Sequence, residues 1–349
     1  MRSEENISMV FPATDEYDSC DAKQRYHVQS PFLGLVIILL SFISFAGNGL
    51  VILSFFTNSE LRRQKGSYLI CNLAISDFIC SAYIMLPCAV SLINNAWRTS
   101  GFFCRVNTVL NYAVLNSSYM SLAAINVDRA IAIKNPFTYP NLITSSRIKA
   151  AITCIWIHGF FFGTLAATVR PTSFEYSELL CAENACIKNI TFTLISTTAC
   201  FGVSSLSLLI SVLTVISFVK KSRKVYPMQP GTNRNLKNNT KMLKSLFILV
   251  GVYFIFDSPY FVFKTALALT KTNFIPTKLC LLPVLMLFST TILNPLIYGI
   301  LRKDQREYSM KSLRMVSEKI NNSNAYQRIK QILFVITDEP KRFFTLLQM

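Results

Sequence analysis

The chain has few charged residues and very few histidines. Lys, Arg, Asp and Glu make up 15% of its 349 residues, against about 25% in soluble globular domains. The two histidines, His27 and His158, are too far apart in sequence for the HExxH zinc pattern. A glycine-rich phosphate loop and a nucleophile elbow are also missing. We therefore expect a protein that is not an enzyme.

Three further absences narrow the class of protein. The first 30 residues lack the charged and apolar regions of a cleavable signal peptide, so the first apolar segment is expected to act as its own signal anchor. Internal repeats and paired broken helices, which mark many transporters, are missing. The net charge of +17 comes without a basic, aromatic-interleaved nucleic-acid motif. We expect no nucleic-acid partner, and a transporter or channel is the weaker alternative.

Apolar residues are what the sequence has in abundance. They account for 52% of it and include 27 phenylalanines. A membrane helix needs about 20 mostly apolar residues, and seven such stretches can be drawn, with six or eight as alternatives. They cover residues 31–57, 67–92, 101–133, 147–169, 188–219, 239–270 and 276–301. The pattern predicts an all-α membrane protein, a seven-transmembrane helix bundle.

The basic residues predict how the chain is oriented. Most of them lie after the first, third and fifth segments and in the tail, so the positive-inside rule places the N-terminus outside the cell and the C-terminus in the cytoplasm. This gives an extracellular segment 1–30, a membrane domain 31–301 and a part 302–349 with an amphipathic helix and a cytoplasmic tail. The sequons at Asn6 and Asn189 are then on the outer side, where they can be glycosylated.

The segment after the last span predicts a short amphipathic eighth helix. Leu301, Tyr308 and Met315 would share one face of it, among several basic residues. Such a helix suits the surface of an anionic membrane, so membrane lipids are expected partners. A solvated helix is the alternative.

Several polar residues interrupt the apolar segments, although ionisable groups at membrane depth are expensive and usually functional. They are Asn48, Asp77, Asp128-Arg129, Asp257 and Asn294-Pro295 with Tyr298. Taken singly, each has an ordinary structural explanation, such as a bond to a neighbouring helix or a proline kink. Taken together, in this order along the chain, they are a far more specific signal than any one of them alone.

Over about residues 31–315 the sequence resembles the class A, rhodopsin-like G-protein-coupled receptors. The residues that carry the resemblance are Gly47-Asn48, Leu73-Ala74 with Asp77, Trp97, Cys104, Asp128-Arg129, Trp156, Pro259 and Asn294-Pro295 with Tyr298. The resemblance implies a plasma-membrane receptor that binds an extracellular ligand and activates a heterotrimeric G protein through movement of the sixth helix.

The resemblance also assigns a G-protein switch to Asp128, Arg129, Asn294, Pro295 and Tyr298. Arg129 would be held by Asp128 at rest and then released towards the G protein. Tyr298 would swing inward with it.

A second set of residues, Asp77, Ser118 and Asn294, matches the sodium-binding cluster of the family. Oxygen-bearing side chains suit a hard cation, and a sodium ion that binds the resting state better would favour that state. An allosteric sodium ion is therefore a possible cofactor, and no covalent cofactor is expected.

The matching ligand-pocket positions form an aromatic set with one cation and one carboxylate. They are Asn111, Tyr112, Leu115, Asp257, Tyr260, Phe261, Lys264, Val284 and Phe288. Amine receptors carry an Asp at the position of Asn111, and opsins attach retinal to a Lys at the position of Phe288. The resemblance therefore excludes both ligand types. Lys264 could receive an anionic ligand group or could extend to the outer interface, and the ligand stays unknown.

The chain also departs from the family pattern. Asp257 stands where the family usually has the tryptophan that couples the ligand to the sixth helix. The fifth helix has neither the usual proline nor the usual tyrosine. A receptor-like protein that signals weakly is therefore a second alternative. The resemblance further implies a disulfide from Cys104 to the second outer loop, where Cys181 and Cys186 both compete and Cys181 is favoured.

Overall fold

The computed structural model is a bundle of seven long helices. It describes residues 30–94, 101–169, 172–175, 180–183, 190–225, 247–270, 277–301 and 303–321. The long helices are α1 (Pro31–Thr57), α2 (Ser67–Asn94), α3 (Gly101–Lys134), α4 (Ser145–Val169), α5 (190–225), α6 (247–270) and α7 (Thr277–Leu301). Their described ends agree with the predicted segments within two residues, except that α5 ends at Val225 rather than at 219. The predicted start of α6, residues 239–246, lies outside the described residues, and the expected seven-helix bundle is confirmed.

Six of the helices in the described ranges are long and apolar enough to cross a membrane, and α3 is the exception. It is buried against α2, α4 and α5. Its buried polar residues are Asn107, Thr108, Asn111, Asn116, Ser117, Ser121, Asn126 and Asp128. Since polar side chains in a membrane are stable only where other protein groups surround them, α3 takes the interior position.

Large apolar side chains cover the outside of the bundle. Phe42 on α1, Ile157 on α4, Leu213 on α5 and Val262 on α6 all expose more than half of their surface. In water such a surface would promote aggregation. In a bilayer it contacts lipid tails, as a multi-pass membrane protein requires.

Within the described residues, three helices contain a π-helical turn: Ser81–Met85 in α2, Thr198–Gly202 in α5 and Tyr253–Asp257 in α6. Such turns are often found at functional sites. The turn in α5 arises although that helix has no proline. The turn in α6 ends at Asp257, two residues before Pro259, so the unusual carboxylate lies at an irregular point of its helix.

Neighbouring helices satisfy carbonyl groups of the π-helical turn in α2. Ser41 of α1 donates a hydrogen bond of 2.7 Å to the Ser81 carbonyl. Asn107 of α3 donates one of 2.5 Å to the Tyr83 carbonyl. Pro87, four residues after Tyr83, has no N–H for that carbonyl. The irregular turn therefore serves as a contact point for α1 and α3.

A β-hairpin lies between α4 and α5. Strands β1 (Thr172–Glu175) and β2 (Leu180–Glu183) pair antiparallel, with Phe174 opposite Cys181, and both contact α3. A disulfide joins Cys181 to Cys104 near the start of α3, which confirms the favoured pairing. We call this end of the bundle the disulfide end and the opposite one the Arg129 end.

After α7, helix α8 (Lys303–Asn321) runs along the Arg129 end of α1. Tyr308, on its predicted apolar face, packs in a cluster with Phe55. The Ser312 hydroxyl, which is fully buried, lies 3.1 Å from that of Thr57. Because part of the apolar face is used by α1, contact between α8 and lipid stays a prediction.

Candidate ligand cavity and signalling sites

A cavity lies between α3, α5 and α6 in the half of the bundle nearer the disulfide, and we call it the upper cavity. Six of the nine predicted pocket residues line it: Asn111, Tyr112, Leu115, Tyr260, Phe261 and Lys264. They come from α3 and α6, where the family pattern could be followed residue by residue. The upper cavity is therefore the candidate ligand site.

The other three predicted pocket residues lie elsewhere. Asp257 and Phe288 line a second space further from the disulfide, which we call the lower chamber. Val284 is fully buried in the hydrophobic core. Leu115 and Tyr119 line both spaces, so these two side chains stand between them. The set that the sequence grouped in one pocket is divided by the structure into two cavities and a core position.

The polar groups of the upper cavity are Lys264 and Asn111. The Lys264 ammonium group lies 5.4 Å from the ring centre of Tyr112 and 5.8 Å from that of Tyr260, within the range of cation–π attraction. Asn111 is 4% exposed, and its side-chain oxygen has no hydrogen-bond partner among the described residues. The cavity thus combines a positive charge with an acceptor that lacks a donor.

The sequence reasoning missed the wall that α5 contributes. Ser196, Thr197 and Cys200 line the upper cavity, at a spacing that places them on one helical face. This spacing was visible in the sequence. Without the usual proline, however, there was no fixed point from which to count along α5.

The lower chamber contains the predicted sodium cluster. The Asp77 carboxylate is 2% exposed. It accepts a hydrogen bond of 3.0 Å from the Ser118 hydroxyl and one of 2.8 Å from the Asn294 amide nitrogen. A carboxylate, a hydroxyl and an amide oxygen on three helices fit the ligands that a hard cation takes. The structure brings the three predicted residues together, and ion binding stays a prediction.

Asp257 shares the lower chamber with Asp77. It is 3% exposed, and its Oδ1 atom has no hydrogen-bond partner in the described part of the chain. The neighbouring hydroxyl is that of Thr290 on α7, which lines the same chamber.

An aromatic cluster lies beside Asp257 and joins α3, α5 and α6. The rings of Phe201 and Phe261 stack at 4.2 Å, and Tyr119 meets Phe261 edge-on at 5.3 Å. The Tyr253 hydroxyl lies 3.0 Å from that of Ser205 on α5. Tyr253 thus links α6 to α5, a contact that the sequence did not reveal.

At the Arg129 end, Asp128 lies between two partners. Its Oδ2 atom is 3.5 Å from Arg129 Nε, and its Oδ1 atom accepts a hydrogen bond of 2.7 Å from the Tyr139 hydroxyl. Asp128 is buried, whereas the Arg129 side chain is 27% exposed. Gly66 is close by, since a methyl group there would lie 2.7 Å from Arg129 Nη2. The sequence predicted the pair and missed Tyr139.

The rest of the predicted switch lies on α7. Tyr298 is 4% exposed, and Pro295 packs against α1 so closely that a methyl group on Gly47 would lie 3.1 Å from its ring. This close contact favours a small residue before Asn48. The sequons at Asn6 and Asn189 and the competing Cys186 lie outside the described residues.

Comparison with known proteins agrees with this architecture. Residues 47–298 match the model of the "7 transmembrane receptor (rhodopsin family)". Melanopsin-B of Xenopus laevis is 25% identical over 286 residues, 79% of this chain and 53% of that protein.

Two further relatives match over shorter stretches. The 5-hydroxytryptamine receptor 7 of Xenopus laevis is 27% identical over 48% of this chain and 39% of its own length. The histamine H2 receptor of Cavia porcellus is 28% identical over 36% of this chain and 34% of its own length. The chain thus covers about half or less of the length of these relatives. The match to the family model spans all seven helices in whole or in part, and the chain belongs to the rhodopsin family of seven-transmembrane receptors.

Proposed function

We propose that this protein is a G-protein-coupled receptor of the plasma membrane that binds an extracellular ligand in the upper cavity and activates a heterotrimeric G protein. The observation that carries the proposal is the arrangement of two sites in one bundle. The upper cavity lies towards the disulfide end, and the Asp128–Arg129 pair lies at the other end. Such an arrangement suits signal transfer across a membrane.

The disulfide and the basic residues support one orientation of the chain in the membrane. A disulfide is stable in an oxidising compartment, which supports an extracellular position for Cys104 and Cys181. Lys and Arg are enriched in cytoplasmic loops, and Arg62, Arg63 and Lys149 lie near the Arg129 end. The N-terminus is then extracellular and the tail cytoplasmic.

The proposed switch works through the ends of α3, α6 and α7. Asp128 holds Arg129 in the resting receptor, and outward movement of α6 frees the guanidinium group to meet the G protein. Tyr298 on α7 moves inward to fill the space. A sodium ion at Asp77 opposes the change because it binds the resting arrangement better.

The groups in the upper cavity favour a ligand with an anionic group and a hydrogen-bond donor. Lys264 would pair with the anion, and the unpartnered Asn111 oxygen would accept from the donor. The likeness to the histamine and 5-hydroxytryptamine receptors does not carry over an amine ligand, because Asn111 stands where the carboxylate for the amine is expected. Phe288 in place of a lysine likewise argues against a covalently bound retinal.

A panel of G-protein reporters in transfected cells tests the proposal, first without added ligand and then with a ligand library. We expect activation by the wild type and its loss in Arg129→Ala at normal surface level. Arg147→Ala is the matched control, because Arg147 is exposed and bonds the Leu142 carbonyl in the adjoining loop. Equal signalling by Arg129→Ala and the wild type would contradict the mechanism. Solute or ion flux in liposomes without activation of any reporter would favour the transporter or channel.

A further inference from the structure

The lower chamber is small. Its cavity volume is about 20 Å³, enough for an ion or a water molecule or two, since one water needs about 10–15 Å³. Its polar wall comes from α2, α3, α6 and α7: Asp77, Ser118, Asp257, Thr290 and Asn294. An ion bound here would therefore contact four helices.

The two carboxylates in this chamber have very different surroundings. Both Asp77 oxygens accept hydrogen bonds, from Ser118 and from Asn294. Asp257 is equally buried, yet its Oδ1 atom has no partner among the described residues. The hydroxyl group of Tyr119, 4% exposed and also part of the wall, lacks a partner there too. Buried polar atoms without a partner are rare in proteins, and an ion or water is the usual explanation.

No Lys, Arg or His is found among the described residues that line the chamber. On α6 the nearest cation in sequence is Lys264, which lines the upper cavity instead. Two ionised carboxylates in a medium of low dielectric constant repel each other and are poorly solvated, unless a cation lies between them. The side chains of this wall offer several oxygen atoms as ligands, but none of them carries a positive charge that could neutralise the two carboxylates.

We propose that Asp257 and Asp77 share one small hard cation, so that the site has two carboxylates and ties α6 to α2. The predicted sodium cluster of Asp77, Ser118 and Asn294 lies on α2, α3 and α7. Asp257 adds a direct link to α6, the helix that moves in the proposed function. The π-helical turn Tyr253–Asp257 sets the position of this side chain. Cation binding does not depend on the proposed function, but any effect of the cation on signalling rests on that function.

Thermal unfolding of the purified full-length protein in detergent tests the site without ligand or G protein. Wild type, Asp77→Asn and Asp257→Asn are compared in sodium chloride, calcium chloride and choline chloride at equal ionic strength. A cation that binds the folded state raises its stability with concentration. We expect sodium or calcium, but not choline, to stabilise the wild type. The ion with the larger effect is then the occupant.

The variants decide whether Asp257 is a ligand. We expect Asp257→Asn to raise the half-saturating cation concentration by about tenfold or more, since the charge of the ligand set tunes affinity. Asp77→Asn should lose the effect, and Glu60→Gln, an exposed carboxylate at the Arg129 end, should keep it. If Asp257→Asn does not fold, Thr290→Val leaves both carboxylates in place and should weaken the affinity.

Two results would overturn the proposal. If Asp257→Asn and Thr290→Val respond to cations as the wild type does, Asp257 is not a ligand. If the wild type responds to neither sodium nor calcium, there is no cation site in the lower chamber. Neither result bears on G-protein activation, which the reporter panel measures separately.

Discussion

The side-chain amide of Asn48 donates a hydrogen bond of 2.9 Å to the backbone carbonyl of Thr291. Pro295 lies four residues further along α7 and has no N–H for that carbonyl. Asn48 therefore supplies the donor that α7 lacks, and it also bonds the Ser44 carbonyl of its own helix. This contact fixes α1 against α7 beside the proposed switch.

Replacing Asn48 by Ala should destabilise the protein. The Thr291 carbonyl would lose its donor in a buried site, which costs about 1–3 kcal/mol. Thermal unfolding of the purified protein measures the effect. Asn135→Ala, at an exposed position beyond α3, is the control and should unfold like the wild type. Equal stability of the two variants would show that water or a shifted side chain replaces the amide.

Replacing Tyr139 by Phe should raise ligand-independent signalling. The Tyr139 hydroxyl orients the Asp128 carboxylate that faces Arg129, so its removal weakens the resting pair. A hydrogen bond worth about 1 kcal/mol would shift the resting-to-active equilibrium about fivefold. Basal reporter activity at matched surface level measures this, with Tyr308→Phe as the control. Lower basal activity in Tyr139→Phe would mean that the hydroxyl supports the active state instead.

The contact between α3 and α4 depends on two glycines one helical turn apart. A methyl group on Gly163 would lie 2.6 Å from the Val109 carbonyl oxygen, and one on Gly159 would lie 2.8 Å from Ala113 Cα. Small residues at this spacing let membrane helices approach closely. Gly163→Ala should therefore force the helices apart and destabilise the protein by about 1–3 kcal/mol.

Gly251→Ala is the matched control, since a methyl group there meets no atom within 4 Å. It should be neutral or stabilising by up to about 1 kcal/mol, because alanine favours the helix. Thermal unfolding compares the two variants. If Gly163→Ala proves as stable as Gly251→Ala, the two helices are not tightly packed at this point.

Removing the Cys104–Cys181 disulfide should reduce delivery to the cell surface. By analogy with small secreted domains, the loss destabilises by about 2–5 kcal/mol. Surface labelling of Cys104→Ser and Cys181→Ser measures the amount of protein that reaches the cell surface. Cys154→Ser is the control, because Cys154 is exposed and forms no disulfide. Peptide mapping under non-reducing conditions checks the pairing, and a free Cys104 thiol would contradict it.

The helices could be predicted from the sequence because a helix that crosses the hydrocarbon core needs about 20 mostly apolar residues. Positions counted from a fixed motif were also predictable, as Asp77, Ser118 and Asn294 show by meeting in one cluster. Such counting assumes a regular helix. The π-helical turns break this assumption, and no residue pattern in α5 signalled its turn.

Contacts between distant segments were harder to predict. Tyr139 begins a single helical turn, Tyr139–Leu142, between α3 and α4. Four residues are too few for a periodic pattern, so the bond of Tyr139 to Asp128 had no signal in the sequence. The division of the predicted pocket depends on how the side chains of Leu115 and Tyr119 fill the space between helices. Packing of this kind is a property of the assembled bundle, and a single segment does not encode it.

The polar character of α3 has a consequence for how the chain is made. An unpaired amide in hydrocarbon costs several kcal/mol, and α3 contains four buried asparagines. Their partners include the Tyr83 carbonyl on α2 and the Ile155 carbonyl on α4. During synthesis we therefore expect α3 to enter the bilayer together with α2 and α4, which supply these partners.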